Sequence, residues 1–145
     1  MNAKFVFPAL AACGLMLASC SDDTVTPDAV SSTLEAGTWE VTYFWNEGAE
    51  ETSDFAGYDF TFDNNGEVTA SNGTDIVNGA WSAATNGSGD NEDVNLNLNF
   101  EADLGSMFVN LNEDWRVVEH TGTKVRLDNV SGGGTGTDFL TFEQQ

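Results

Sequence analysis

The feature that most constrains this chain is an alternation of apolar and polar side chains with a period of two residues, which recurs along most of its length. The alternation is clearest over Val94–Phe100, where asparagines separate the apolar residues. Successive side chains of a β-strand point to opposite faces of the sheet, so this pattern predicts a strand that is buried on one face only.

Turn sequences separate the alternating runs. Asn64-Asn65-Gly66 is typical of a hairpin, because Asn and Gly accept the positive φ angles of a tight turn. About eight short strands with short connections predict an all-β fold, a small antiparallel up-and-down β-barrel, with a β-sandwich as the alternative. A short helix or turn over residues 102–113 would cap one end, and loops are expected over residues 46–56, 84–93 and 130–137.

The side chains on the inward phase of these strands are almost all apolar. An eight-stranded barrel is either filled by such side chains or holds one small ligand, and both alternatives stay open. The expected inward residues are Trp39, Val41, Tyr43, Trp45, Tyr58, Phe60, Phe62, Trp81, Val94, Leu96, Leu98, Phe100, Trp115, Val117, Leu140 and Phe142. The candidate ligand contacts among them are Trp39, Tyr43, Trp45, Tyr58, Trp81 and Trp115.

The charge of the chain excludes one class of function. Its 145 residues include 24 acidic and 4 basic side chains, for a formal charge of −20. Nucleic-acid binding depends on Lys and Arg side chains that displace counterions from phosphates, so we expect no nucleic-acid partner. Most acidic residues fall in loops or on the outward phase of the strands, which predicts a solvated acidic shell.

The N-terminal residues have the layout of an export signal. Lys4 precedes an apolar run that ends at Leu17, which is too short for a permanent membrane span of roughly 20 residues. The sequence Leu17-Ala18-Ser19-Cys20 resembles a bacterial lipobox, which implies that residues 1–19 are a signal peptide and that Cys20 carries acyl chains such as palmitate. Several acyl chains would anchor the protein stably to a membrane.

The residues after Cys20 bear on localisation. Ser21-Asp22-Asp23 resembles the acidic tag that directs lipoproteins of the Bacteroidota to the cell surface, which implies a lipid-anchored protein on the outer membrane. Residues 20–33 are expected to form the lipidated Cys and a flexible linker, and residues 34–145 the barrel domain. Cys13 would leave with the signal, so the mature domain would have no disulfide and no cysteine metal ligand.

Enzymatic chemistry is not expected. His120 is the single histidine and is predicted to face solvent, and the chain has no Gly-x-Ser-x-Gly nucleophile elbow. Paired carboxylates lie mostly on polar positions, although Glu119 shares a strand phase with Trp115 and Val117. We therefore predict no catalytic residues, no metal site and no cofactor.

Several short motifs resemble bacterial lipocalin-like lipoproteins. They are Gly37-Thr38-Trp39 at the first strand, the Phe60–Gly66 hairpin, Gly79-Ala80-Trp81 and the closing Leu140–Glu143 run. The resemblance implies that Trp39 plugs one end of the barrel. It also implies that a late-strand arginine, Arg126 or else Arg116, stacks on Trp39. The chain lacks the lipocalin disulfide and has shorter strands.

Two functional hypotheses follow. The first is a non-enzymatic, cell-surface lipoprotein whose barrel binds a small hydrophobic or glycan-related ligand. The alternative is a structural or interaction module whose filled barrel presents its loops to another envelope protein. The two hypotheses differ in whether the barrel interior has room for a ligand.

Overall fold

A closed barrel of eight antiparallel strands with one α-helix makes up the chain that the structure describes. The computed structural model describes residues 24–87, 92–130 and 136–145, so the predicted signal peptide and Cys20 lie outside the described residues. The elements are α1 (Pro27–Glu35), β1 (Thr38–Asn46), β2 (Ala49–Glu50), β3 (Asp59–Phe62), β4 (Glu67–Ser71), β5 (Ile76–Asn86), β6 (Asp93–Phe100), β7 (Asp114–Thr121), β8 (Lys124–Val130) and β9 (Thr137–Gln144). Two 3₁₀ helices cover Thr52–Phe55 and Met107–Leu111.

The strands pair in chain order around the ring. β3 to β8 each pair with the next strand, and β1 closes the ring by pairing with both β3 and β9. β2 only extends the end of β1. The predicted antiparallel barrel is confirmed, and a closed ring leaves no long unpaired edge to template aggregation. The second 3₁₀ helix lies within residues 102–113, where a short helix or turn was expected.

The barrel interior is the hydrophobic core. All but two of the side chains predicted to face inward are buried, in agreement with the alternation of the strands. The two exceptions are Tyr43, which is 39% exposed, and Trp45, which is half-buried. The prediction that both line the interior is wrong.

A β-bulge in β1 explains both exceptions. Val41 pairs with Phe142 and Tyr43 with Thr141, so one extra residue of β1 lies between consecutive pairs. Such an insertion exchanges the inward and outward phases of the strand beyond it. Phe44 consequently turns into the core, where it is fully buried, and its neighbours on β1 turn outward.

A second bulge, in β7, places Glu119 and His120 on the opposite faces of the strand from those that strict alternation predicts. The pairing shifts between Val117 and Glu119, and Val118 is left 45% exposed. Glu119 therefore does not share the inward phase of Val117. His120 is half-buried instead of facing solvent, and its Nε2 lies 2.8 Å from Thr33 Oγ1.

Helix α1 occupies residues that were predicted to be a flexible linker, so that prediction is wrong from Pro27 onward. Thr26 Oγ1 accepts the Ala29 N–H at the helix start. Val30 and Leu34, one turn apart, are both fully buried in the barrel core. Burial of these side chains offsets the entropy lost on ordering a short helix. No helix in the described part of the chain is long and apolar enough to cross a bilayer.

Gly79 allows β5 and β6 to lie close together. A Cβ atom at this position would lie 2.6 Å from the Asn99 carbonyl oxygen and 2.7 Å from Phe100 Cα. Both are backbone atoms of the neighbouring strand and cannot rotate away. The glycine of the Gly79-Ala80-Trp81 motif is thus required by the packing of the sheet.

Candidate functional site

The barrel has two ends that are closed by different segments. We call the end where β1 begins and β9 ends the helix end, because α1 covers it. We call the opposite end the aromatic end; it is covered by the segments 47–58 and 101–113, which contain the two 3₁₀ helices. The strand ends that flank the predicted loops 46–56 and 130–137 lie at the aromatic end. Those that flank the predicted loop 84–93 lie at the helix end, where β5 continues to Asn86 and β6 begins at Asp93.

Two tryptophans close the helix end. Trp39 is fully buried, and its indole N–H donates to the Leu34 carbonyl of α1 at 2.9 Å. Trp81 donates from its indole N–H to the Asp63 carbonyl at 3.0 Å and packs edge-on against Phe62. Trp39 therefore occupies an end of the barrel, and a helix lies over it.

The aromatic end is packed with phenylalanine rings and a third tryptophan. Trp115 is fully buried and its indole N–H donates to the Leu111 carbonyl at 3.0 Å. The Phe108 ring from the second 3₁₀ helix has its centroid 5.5 Å from that of Phe55 and 5.2 Å from that of Tyr58. Burial raises the pKa of the Tyr58 phenol above its ordinary value, and Asp75 acts in the same direction.

Aromatic rings also fill the space between the two ends. The Phe60 ring lies 6.1 Å from Phe100 and 5.3 Å from Phe142, and Phe142 lies 5.7 Å from Phe62. Trp81 completes this chain of contacts at the helix end. The described residues thus pack the interior from end to end with rings in mutual contact.

The six candidate ligand contacts do not form one site. Four of them are buried core residues at different heights of the barrel: Trp39, Tyr58, Trp81 and Trp115. The other two, Tyr43 and Trp45, lie outside. A ligand inside the barrel would have to displace packed rings, which in well-packed interiors leaves strained or unfilled space.

The expected stacking of an arginine on Trp39 is not made. Arg126 lies on the outer face of β8, where its guanidinium donates to Glu119 at 2.8 Å. This hydrogen bond holds the pKa of Glu119 below its ordinary value, and the positive charges of Lys124 and Arg126 act in the same direction against partial burial.

The second candidate, Arg116, also points outward. Its Nε and Nη2 atoms donate to the two carboxylate oxygens of Asp128 at 2.8 and 2.6 Å. This two-point contact raises the pKa of the Arg116 guanidinium above its ordinary value. Asp128 is only 7% exposed although it faces outward.

The structure brings together a set of outward side chains that the sequence did not group. Two neighbouring rows of cross-strand partners run over β1, β9, β8 and β7. We call these eight residues the outer patch. The first row is Tyr43, Thr141, Arg126 and Glu119, and the second is Trp45, Phe139, Asp128 and Arg116. The sequence contains one indication of this patch: three of its four basic residues lie within residues 116–126.

An open depression of about 400 Å³ lies over the first row of the outer patch. It is lined by Thr42, Tyr43, Lys124, Arg126, Thr141 and Glu143. A second depression of about 230 Å³ lies beside the outward asparagines of β6. Both are on the outside of the barrel.

Metal ligands are not grouped in the part of the chain that the structure describes. No set of three or more His, Cys, Asp or Glu side chains there could hold an ion. Asp90 and Asn91, between β5 and β6, lie outside the described residues.

The fold has a counterpart among solved structures. No family model and no curated protein matches the sequence. The barrel is similar to the crystal structure of a DUF4847 family protein from Bacteroides vulgatus ATCC 8482, with a TM-score of 0.51 over 80% of this chain and 97% of that chain. The two sequences are 19% identical, so the similarity shows a shared barrel fold.

Proposed function

We propose that this protein is a lipid-anchored, surface-exposed protein of the outer membrane whose barrel is a binding module that acts through its outer surface. The observation that carries the proposal is the packed interior, which favours an interaction module over a carrier of a small apolar ligand. Fully buried rings at both ends and in the middle leave the outside of the barrel as the surface available for recognition.

The lipid anchor is inferred from the lipobox residues that end at Cys20. Six residues, Ser21 to Thr26, separate Cys20 from the first residue of α1. Such a segment spans at most about 20 Å when fully extended. Because α1 is docked on the helix end, the anchor would hold that end toward the membrane and present the aromatic end to the surroundings.

Membrane fractionation tests the anchor. Cys20→Ser should move the protein from the membrane fraction to the soluble fraction and abolish labelling with a palmitate analogue. Cys13→Ser is the matched control, because that cysteine belongs to the predicted signal, and it should leave both readouts unchanged. Continued membrane association of the Cys20→Ser protein would refute the anchor.

Surface exposure is tested by antibody binding to intact cells that carry an epitope tag after Gln145. The tag should be stained without permeabilisation. Replacing Asp22 and Asp23 by asparagine should reduce the staining if the acidic tag directs export. Staining that requires permeabilised cells in every variant would place the protein on an inner leaflet instead.

Native mass spectrometry of the protein purified from its host distinguishes an interaction module from a carrier of a small apolar ligand. We expect the mass of the lipidated chain alone. A bound apolar molecule that is retained after Tyr43→Ala, an outward position, and lost after Phe108→Ala, a core position, would restore the carrier hypothesis.

A further inference from the structure

Aromatic side chains reach the outside of the barrel in one place only, among the residues that the structure describes. Tyr43 is 39% and Phe139 is 36% exposed, and Trp45 between them on the same face is half-buried. Every other aromatic side chain in residues 24–87, 92–130 and 136–145 is buried. Outward positions elsewhere are mostly polar, such as the asparagines of β6, and the large apolar side chains exposed there, Ile76, Leu104 and Val118, are aliphatic. The exposure of three rings on adjacent strands therefore marks this face.

The basic residues of the described chain lie on the same face. Arg116, Lys124 and Arg126 are the only Lys and Arg residues there, in a chain with 24 acidic residues. Each is paired: Arg116 with Asp128, Arg126 with Glu119 at 2.8 Å, and Lys124 with Glu143 at 3.6 Å. The outer patch and the depression beside it are thus close to electrically neutral, unlike the rest of the surface.

This pairing decides between classes of ligand. An anionic ligand would find each cation already neutralised and would be repelled by the surrounding acidic shell. A cationic ligand would find more negative charge elsewhere on the protein. A neutral ligand needs no unpaired charge, and it gains here the exposed aromatic rings that the rest of the described surface lacks.

The side chains that line this face indicate which class of neutral ligand fits best. Aromatic faces accept an apolar, C–H-bearing surface. The guanidinium of Arg126 and the carboxylates of Glu119 and Glu143 offer donors and acceptors beside Tyr43. The ion pairs hold these groups in place, which reduces the entropy lost on binding. A sugar ring presents this combination, an apolar face surrounded by hydroxyl groups.

We infer that the outer patch, with the depression over Tyr43, Arg126 and Thr141, is a binding site for a neutral oligosaccharide. The inference rests on the proposed function, since it identifies the ligand class of the outer surface. Tyr43 stacks on one sugar ring, and Arg126 with Glu119 binds its hydroxyl groups. Trp45 and Phe139, in the adjacent row, contact the next ring of the chain.

The test uses the lipidated protein in a detergent without a sugar headgroup, so that the detergent cannot compete. An array of neutral glycans that includes maltohexaose, cellohexaose, laminarihexaose and mannohexaose is screened, and any glycan that binds is titrated by calorimetry. We expect at least one to bind. Tyr43→Ala should weaken its affinity by about tenfold or more, since a lost aromatic contact is worth up to roughly 1.5 kcal/mol beyond the buried area.

Two further variants make the result specific to this face. Arg126→Gln should weaken binding, whereas Thr61→Ala, an exposed position on the outer face of β3, should leave the affinity unchanged. Thermal unfolding of each variant checks that the barrel is intact. Binding that survives Tyr43→Ala, binding confined to sulfated or uronate glycans, or no binding on the array would each overturn the inference. None of these outcomes depends on Cys20 or on the native mass, so they are distinct from a failure of the proposed function.

Discussion

The two ends of the barrel are closed by the same hydrogen bond in different surroundings. At each end a fully buried tryptophan donates its indole N–H to the carbonyl of a helical leucine, Trp39 to Leu34 and Trp115 to Leu111. At the helix end that leucine belongs to α1, a segment before the first strand. At the aromatic end it belongs to a connection between β6 and β7, which is held by strands on both sides.

The segment that covers the helix end is therefore separable from the core, whereas the segments that cover the aromatic end are part of the core. Among the described residues, α1 is joined to a strand only at its C-terminal end, so it can undock while the strands remain paired. The aromatic end cannot open in this way, because Phe55 and Phe108 interlock with rings from several strands. We expect the helix end to open locally and the aromatic end to open only with global unfolding.

The largest expected effect comes from truncating the two tryptophans. Trp39→Ala and Trp115→Ala should each lower the free energy of unfolding by about 3–5 kcal/mol, because each removes a fully buried side chain and leaves a cavity. Urea denaturation followed by circular dichroism measures both. A loss below about 1 kcal/mol for Trp39→Ala would mean that Trp39 does not close the core.

Truncating the two leucines tests whether the ends open independently. Leu34→Ala and Leu111→Ala each remove a fully buried side chain, at an expected cost of about 2–5 kcal/mol. Amide hydrogen exchange should show the effect of Leu34→Ala chiefly in α1 and the effect of Leu111→Ala throughout the strands. Equal loss of protection across the barrel in both variants would contradict separable closure of the helix end.

Two glycines offer a smaller comparison. Gly79→Ala places a Cβ against backbone atoms of β6 and should cost about 1–3 kcal/mol through overpacking. At Gly37, at the helix end, the three atoms nearest to an added Cβ all belong to the Gln144 side chain, which can rotate away. The midpoint of thermal unfolding should therefore fall further for Gly79→Ala than for Gly37→Ala. The reverse order would refute the close approach of β5 and β6 at Gly79.

The smallest effect is expected at the contact between α1 and β7. Thr33→Val removes the hydroxyl that lies 2.8 Å from His120 Nε2 and should cost about 0.5–1.5 kcal/mol, the usual net value of one hydrogen bond. Hydrogen exchange of α1 amides is the sensitive measurement. His120→Gln, which keeps a polar partner for Thr33, should cost less than His120→Ala.

Much of the fold follows from local sequence pattern. The inward phase of β3, β6 and β9 could be assigned because alternation and turn residues act over a few positions. The start of α1 was also open to prediction, since Thr26-Pro27-Asp28 has an N-cap residue, a proline in the first turn and an early acidic residue. Its content of Ser and Thr instead favoured a linker, because helix docking is not visible in composition.

The candidate site depended on features that no local pattern contains. The bulge in β1 moves Tyr43 and Trp45 outward, and the bulge in β7 places Glu119 beside Arg126. A bulge is set by how a strand must bend to pair with both neighbours, and it exchanges the faces of every residue beyond it. Strict alternation therefore placed Tyr43, Trp45 and Glu119 on the inner face of the barrel, whereas the bulges place them on the outer face.

Composition and local pattern were enough to predict an acidic, aromatic-rich chain of alternating strands that can close into a small antiparallel barrel. These properties are local or additive, so they can be obtained from neighbouring residues and from composition. The folded barrel was needed to see that aromatic rings fill the interior, that α1 closes one end, and that Tyr43 and Arg126 lie close together on the outside. Those outcomes depend on register and ring closure, which couple residues about a hundred positions apart along the chain.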